Sequence, residues 1–228
     1  MSAVNENISL AGFQDFTRAV YGQSNDRYFS QNDIEFNIER FAMRGLKGIR
    51  KGDKEKIKQN LLITSTWFMS LLNQLHVNLE EEVWKRFPGV CSYCNCAPCA
   101  CREKKTEERL KIVPNESRRP KTLREIQDMF RVIYPPEKRT LEDVSIHLAE
   151  EIGELSEALL AYRGSHDDRS FEQVSLEAAD LFSCLVGVFN SLDLDLAHEL
   201  AAIFYDNCHV CHSAPCTCNF NAIINYKS

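Results

Sequence analysis

A sequence pattern that occurs twice constrains this 228-residue chain more than any other feature. The segment that starts at Ser9, SLAGFQDFTRAVY, resembles the segment that starts at Thr122, TLREIQDMFRVIY, and a cysteine cluster follows each. Self-similarity at this spacing indicates repeated structural units. We therefore expect two similar repeats, at residues 1–102 and 121–228, joined by a charged, proline-containing linker at 103–120.

Apolar residues within each repeat recur with the period of a helix. Leu148, Ile152 and Leu155 follow helical spacing, as do Ala178 and Leu181. The predicted helices span residues 8–20, 32–50, 54–76 and 79–87, and then 121–132, 140–163, 171–192 and 195–206. Amphipathic helices with short loops favour antiparallel packing, so we predict an all-α fold of two four-helix units that form a pseudodimeric bundle.

Charge and hydropathy exclude several classes of protein. The net charge is −6, and its distribution is uneven, with +4 in residues 1–120 and −10 in residues 121–228. An acidic chain is a poor ligand for nucleic acid, so we expect no nucleic-acid partner. No apolar run approaches the roughly 20 residues of a membrane helix, and the first residues lack the pattern of a secretion signal. We therefore expect a cytoplasmic protein with no membrane partner.

Nine of the ten cysteines lie in two short clusters, which is typical of metal sites rather than of disulfides. Both clusters follow the pattern C-x-x-C-x4-C-x-C, with the shared positions Cys91, Cys94, Cys99 and Cys101, and Cys208, Cys211, Cys216 and Cys218. Four thiolates at such spacing suit a structural Zn²⁺, and an iron–sulphur cluster is the alternative. The comparison leaves Cys96 spare, because Ser213 stands at its position.

Two pairs of acidic residues lie on neighbouring predicted helices of the second repeat. Glu151 and Glu154 border the apolar stripe of one helix, and Glu177 and Asp180 border that of the next. Packing through these stripes would bring four carboxylates to one rim, where they repel one another unless a cation binds. Carboxylate oxygens are the ligands that Mg²⁺ or Mn²⁺ prefers, so we predict one such ion here.

These residues resemble the metal-binding pattern of MazG-like, all-α nucleotide pyrophosphohydrolases. That pattern is Glu-x-x-Glu, a gap of 22 residues here, and Glu-x-x-Asp, and the flanking words EEIGEL and LEAADLF are also similar. The resemblance covers most of the second repeat and, more faintly, the first. It implies Mg²⁺-dependent cleavage of a nucleoside triphosphate between the α- and β-phosphates, giving a monophosphate and pyrophosphate. The implied metal ligands are Glu151, Glu154, Glu177 and Asp180, with Glu150 or Glu157 as an accessory ligand or to position the water.

The first repeat lacks this set of acids. Asn60 and Ile63 stand at the positions of the second acidic pair, and Glu39 and Ala42 stand at those of the first pair in one register. We therefore expect one active centre per chain. Since family members commonly pair as dimers, the tandem chain would be an intrachain pseudodimer, and a homodimer of such chains is a further expectation.

The first repeat is instead rich in basic residues. The candidates for binding the substrate phosphates are Arg44, Lys47, Arg50, Lys51, Lys85 and Arg86. Basic side chains stabilise transferring phosphoryl groups, so we expect at least one of them to reach the acidic site. The alternative for this charge run is a solvated helix face. Two other functions also fit the sequence, namely a nucleotide or alarmone sensor without turnover and a scaffold whose zinc knuckles bind protein or nucleic acid.

Overall fold

A computed structural model of the protein describes residues 4–103 and 112–227. Regular secondary structure within these ranges is entirely helical, which confirms the predicted all-α class. The helices are α1 Leu10–Tyr28, α2 Gln31–Lys51, α3 Lys54–Leu75, α4 Leu79–Arg86, α5 Leu123–Ile133, α6 Leu141–Ser165, α7 Asp168–Ser191, α8 Leu196–Ile203 and α9 Phe220–Ile224, with short 3-10 helices at Glu116–Arg118 and Pro136–Lys138.

The chain forms two compact units that do not coincide with the two sequence repeats, because each unit contains the C-terminal segment of the other repeat. The first unit consists of Met1–Asn78 and Ala197–Ser228, and the second consists of Leu79–Leu196. The first cysteine cluster therefore belongs with α5–α7, and the second belongs with α1–α3. These bounds differ from the predicted division at 1–102 and 121–228. Sequence similarity identifies the two repeated segments, but it does not show whether a helix or knuckle packs within its own repeat or against the other one. Part of the predicted linker at 103–120 lies outside the described residues.

The first helix extends well beyond its predicted end at residue 20. The segment after Tyr21 is polar and contains Gly22, which favours a turn in sequence. In the structure α1 continues to Tyr28, and Ser24 and Asn25 lie buried on its inner face. The residue that caps the helix, Phe29, makes an edge-to-face contact with the buried ring of Trp67. This aromatic packing outweighs the local preference for a turn.

Each unit contains the same buried polar network. In the first unit, Nε2 of Gln14 donates to the carbonyl oxygen of Val77 at 2.7 Å. In the second unit, Nε2 of Gln127 donates to the carbonyl oxygen of Leu194, also at 2.7 Å. Asn73 near the end of α3 and Asn190 near the end of α7 each donate back to the backbone carbonyl of the glutamine. In both repeats, the same hydrogen bonds therefore link the first helix to the end of the third helix.

The helix that carries two of the predicted acids, α7, is long and apolar enough to cross a membrane by length and composition. However, 67% of its most apolar window is buried inside the protein. That burial is the pattern of a core helix, and the apolar side chains of α7 have protein neighbours in the second unit.

Candidate active site and metal centres

Three carboxylates of the second unit lie together between α6 and α7. Glu151 lies on α6, and Glu177 and Asp180 lie one turn apart on α7. One oxygen atom from each lies within 4.8 Å of the others, a spacing that a single metal ion can bridge. The two helices thus bring together three of the four acids that the sequence pattern assigns to the metal.

Helix capping and an apolar stripe place Glu151 at the edge of this helix pair. α6 begins with a capping box in which Thr140 and Asp143 exchange side-chain to backbone hydrogen bonds. Leu148 and Leu155 are buried where α6 packs against α7. Since Glu151 lies between them along the same helix, its carboxylate is held at the border between core and solvent.

The electrostatics of the cluster favour binding of a cation. Burial, followed by the negative charge of Asp180, raises the pKa of Glu151 to about 8. The same two causes raise the pKa of Glu177 to about 7. In addition, Oε2 of Glu151 is buried and receives no hydrogen bond from any described residue. A divalent cation would satisfy this oxygen and remove the repulsion between the carboxylates.

Arg86 is a cation in direct contact with this cluster. It is the last residue of α4, and its side chain is 8% exposed. Its Nε donates to Oδ1 of Asp180 at 2.9 Å, and a second guanidinium nitrogen donates to Oδ2. Such a bidentate pair fixes the carboxylate orientation. Because each carboxylate oxygen has two lone pairs, Asp180 keeps acceptor capacity for a metal ion.

The other predicted site residues are less closely involved. Glu154 is exposed but lies near enough to Glu177 to contribute to the raised pKa of that residue. Glu150 is exposed and does not belong to the three-carboxylate group. Lys85 is 63% exposed and pairs with Glu82. The remaining candidate cations lie on α2 of the first unit, namely Arg44, Lys47, Arg50 and Lys51.

Sequence reasoning missed a basic groove beside Glu151. The groove is lined by the basic side chains Arg102, Lys138, Arg139 and His147, by the acids Glu103 and Asp143, and by residues of the first cysteine cluster. His147 lies one turn before Glu151 on α6, and the guanidinium of Arg139 lies 4.6 Å from the ring centre of Tyr134. The adjacent basic pair in the segment between α5 and α6 was the available signal, but these residues lie outside any predicted helix and the family pattern.

Both cysteine clusters bring four sulfur atoms together. In the first knuckle, Cys91–Cys101, the Sγ atoms of Cys91 and Cys101 lie 3.6 Å apart and those of Cys94 and Cys99 lie 3.9 Å apart. In the second knuckle, Cys208–Cys218, two sulfur pairs lie 3.5 and 3.8 Å apart. Tetrahedral Zn²⁺ with Zn–S bonds of about 2.3 Å requires separations of about 3.8 Å. Both clusters could therefore hold a metal ion.

The surroundings of the sulfur atoms agree with the ligands predicted from the sequence. Cys96 lies outside the four-sulfur group, and its thiol donates to the carbonyl oxygen of Cys94 at 3.2 Å. His209 is also outside the second group, with Nδ1 3.1 Å from the hydroxyl oxygen of Tyr21. Backbone N–H groups point at one sulfur atom of each knuckle, as expected for thiolate ligands.

Each knuckle is held against a helix of its own compact unit. The backbone N–H of Cys99 donates to the carbonyl oxygen of Ile133, and that of Cys216 donates to Val20, both at 2.7 Å. In the second unit, the hydroxyl of Tyr134 also donates to a knuckle sulfur at 3.5 Å. The first knuckle follows α4, which ends at Arg86, and packs against α5 through the hydrogen bond from Cys99 to Ile133.

The structure corrects the residue correspondence between α2 and α6. The capping boxes at Ser30 and Thr140 start the two helices alike, and from these starts most of the buried positions coincide along both. In this register Phe41 matches Glu151, and Arg44 matches Glu154. The register that paired Glu39 with Glu151 is therefore wrong, because it would place exposed positions of one helix opposite buried positions of the other.

Comparison with known proteins provides no further assignment. No model of a protein family matches the chain, and no curated protein or solved structure matches it at a significant level. The functional interpretation therefore depends on the arrangement of the side chains described above and on the resemblance of the acidic motif.

Proposed function

We propose that the protein is a Mg²⁺-dependent nucleoside triphosphate pyrophosphohydrolase of the MazG-like type, with one active site per chain. It would cleave the bond between the α- and β-phosphates and release a monophosphate and pyrophosphate. The observation that carries the proposal is the convergence of Glu151, Glu177 and Asp180 around a buried carboxylate oxygen without a partner. Such an oxygen-only donor set suits Mg²⁺ or Mn²⁺.

The residues of the cluster have separate roles in this proposal. Glu151, Glu177 and Asp180 hold the metal ion, and Glu154 completes the set from the exposed edge. When bound, Mg²⁺ supplies charge neutralisation and polarisation of the phosphates. Arg86 orients Asp180 through its bidentate contact and offsets part of the negative charge.

The basic groove beside Glu151 suits the phosphates that leave as pyrophosphate. Its cationic side chains, Lys138 and Arg139, lie in the same compact unit as the acids. Positive groups aimed at transferring phosphoryl groups stabilise the charge that develops in the transition state. Exposed Glu150 or Glu157 on α6 would position the attacking water.

We also propose that each knuckle holds a structural Zn²⁺ and that the chain is a tandem of two MazG-like repeats. The sulfur separations support the first proposal, and the matching glutamine networks support the second. Four-thiolate sites leave no open position for a substrate, so the knuckles would stabilise the fold. A homodimer of this pseudodimeric chain remains part of the proposal.

The test is a panel of ribo- and deoxyribonucleoside triphosphates incubated with the zinc-loaded full chain and Mg²⁺. We expect monophosphate and pyrophosphate in equal amounts for at least one nucleotide. Glu151→Gln should abolish this release, whereas Glu142→Gln, an exposed change on the same helix, should leave it unchanged. Tight nucleotide binding without any product would instead indicate a sensor. Release of orthophosphate from the γ-position would contradict the proposed bond cleavage.

A further inference from the structure

The first unit contains a cavity where the second unit has its acidic cluster. Phe41 and Ile63, which stand at the positions of Glu151 and Asp180, both line it. The free space inside this cavity is about 60 Å³, below the roughly 300–1,000 Å³ typical of small-molecule sites, so a larger ligand would fit only in place of Tyr226, which lines it. Its lining includes no carboxylate, so the hard cation proposed for the second unit has no counterpart here.

Aromatic rings form much of the cavity wall. Tyr21, Phe41 and Trp67 come from the three long helices of the unit, and His209 and Tyr226 come from the second knuckle and the segment after α9. Trp67 is 9% exposed, so its indole is almost enclosed. Walls of this kind provide stacking faces for a planar ring.

Two arginines at the edge of this aromatic cavity have no acidic partner among residues 4–103 and 112–227. The guanidinium carbons of Arg40 and Arg44 lie 4.7 and 5.2 Å from the ring centre of Phe41. Both guanidinium groups donate to one carbonyl oxygen, that of Tyr226, at 3.1 and 3.3 Å. Nε of Arg40 is buried and donates to no described residue. No described carboxylate forms an ion pair with either arginine.

Within the described part of the chain, no acidic group compensates the positive charge of these two arginines. The two like charges repel each other, and a neutral carbonyl offsets them only weakly. Burial, with a contribution from Arg44, lowers the pKa of Arg40. An anionic oxygen at the position of the carbonyl would relieve the repulsion and accept charge-assisted hydrogen bonds from both side chains.

We propose that this cavity is a second, metal-independent binding site for a nucleoside monophosphate. Its phosphate would bind Arg40 and Arg44, and its base would stack in the aromatic cavity in place of Tyr226. Tyr226 already presents the two features of such a ligand. Its carbonyl oxygen accepts from both arginines, and its ring lies 4.9 Å from that of His209. The chain therefore fills its own site with a residue that a ligand can displace.

The replacement of acids by an arginine explains why the site would bind a nucleotide without a metal. Arg44 stands at the position of Glu154, so a direct positive charge replaces a carboxylate. The proposal does not depend on hydrolysis in the second unit. It is therefore tested without Mg²⁺, and failure of one proposal leaves the other intact.

The experiment is calorimetric titration of the zinc-loaded full chain with AMP, GMP, CMP and UMP in Mg²⁺-free buffer. We expect one monophosphate per chain for at least one base. Inorganic phosphate alone and the matching nucleoside alone should each bind at least ten-fold more weakly. The phosphate lacks the base that stacks in the cavity, and the nucleoside lacks the phosphate that binds the arginines. Quenching of Trp67 fluorescence in a Trp84→Phe background locates the ligand, since these are the two tryptophans of the chain.

Variants of the two arginines and of the tail residue separate the outcomes. Arg44→Met should weaken binding ten-fold or more, Arg44→Lys should weaken it less, and Arg18→Met, an exposed change on α1, should have no effect. Tyr226→Ala should tighten binding because it removes the competing ring, although it keeps the backbone carbonyl that the arginines contact. Absence of binding to the wild type and to Tyr226→Ala, or equal binding to Arg44→Met, would overturn the proposal. If inorganic phosphate bound as tightly as the monophosphate, the assignment of the aromatic cavity as the site of the base would be overturned.

Discussion

Arg86 and Asp180, 94 positions apart in the chain, form a bidentate ion pair at the acidic cluster, with side chains 8% and 13% exposed. The pair joins the end of α4 to the middle of α7 within one compact unit. A cation from the first sequence repeat thereby contacts an acid of the second repeat. This contact motivates the first prediction.

Replacement of Arg86 with methionine should lower kcat/KM at least ten-fold, which corresponds to about 1.4 kcal/mol of transition-state stabilisation. The reason is that Asp180 loses its orienting partner and the cluster loses a nearby positive charge. Arg86→Lys should restore only part of the loss, because lysine cannot form the bidentate contact. The matched control is Lys121→Met, an exposed change in the same unit, and an equal effect of both methionine variants would contradict the assigned role.

Without Mg²⁺, the zinc-loaded protein should become less stable as the pH rises from about 4.5 to about 8. The pKa of Glu151 is about 8 in the folded protein, above its ordinary value of 4.5, so folding favours the protonated carboxyl. The stability from this group is complete below pH 4.5 and is lost as the pH rises through 8. Glu177 acts in the same direction, with a pKa of about 7.

Thermal melting of the zinc-loaded protein without Mg²⁺ measures this dependence. Saturating Mg²⁺ should raise the melting temperature most at high pH, because the ion binds the deprotonated cluster. Glu151→Gln should flatten the pH dependence in Mg²⁺-free buffer. A profile that is the same in the variant and the wild type would show that the titration arises elsewhere.

Elemental analysis should find two zinc ions per chain in protein purified without added zinc. Cys91→Ser should lose one equivalent and lower the melting temperature, because binding at such sites contributes roughly 10–16 kcal/mol that is coupled to folding. Cys96→Ser is the matched control and should keep both ions, since its sulfur is outside the ligand group. Stoichiometric iron with visible absorbance would contradict the zinc assignment.

The two knuckles should differ in their effect on catalysis. Cys91→Ser should impair turnover more than Cys208→Ser at a temperature where both variants remain folded, because the first knuckle shares a compact unit with the acidic cluster. The measurement is kcat and KM for both variants at matched folded fraction. Equal losses of kcat/KM in the two variants would show that packing of the first knuckle in the same unit as the acidic cluster does not affect catalysis.

Arg139→Met should raise the KM for the triphosphate about ten-fold and leave binding of the metal alone unchanged. The basis is the position of Arg139 in the groove beside Glu151, apart from the metal-binding carboxylates. Arg169→Met, an exposed change in the first turns of α7, serves as the control. A loss of metal binding in Arg139→Met would place this residue in the metal site instead.

Apart from the end of α1 and the short α9, the sequence was sufficient for the helices, and it was sufficient for the proximity of three of the four acids, because both depend on local periodicity. Leu148 and Leu155 define a stripe that must be buried, and a residue between them must lie at its edge. The exchange of the knuckles was not predictable in this way, since the cysteine spacing is the same whichever copy a knuckle packs against. The contact of Cys99 with Ile133 has no local sequence signature.

The register of α2 required structural anchors. From the sequence alone, α2 can be aligned with α6 in several registers. The register that pairs Glu39 with Glu151 was chosen because both residues are acidic. The capping box at Ser30 resolves the register and places Phe41 opposite the position of Glu151. Arg139 was missed for a related reason, because its role depends on a groove formed by several elements and not on a motif.

Binding of Mn²⁺ to the acidic cluster provides the most direct test of the account. Electron paramagnetic resonance of the zinc-loaded chain, titrated with Mn²⁺ at pH 8, should show one saturable site per chain that Mg²⁺ displaces. The Glu151→Gln and Glu177→Gln variants should lose this site while they keep their zinc and their helical content, and Glu142→Gln should retain it. A wild-type protein without a saturable site, or variants that bind Mn²⁺ as the wild type does, would contradict the assignment of these carboxylates as a catalytic metal centre.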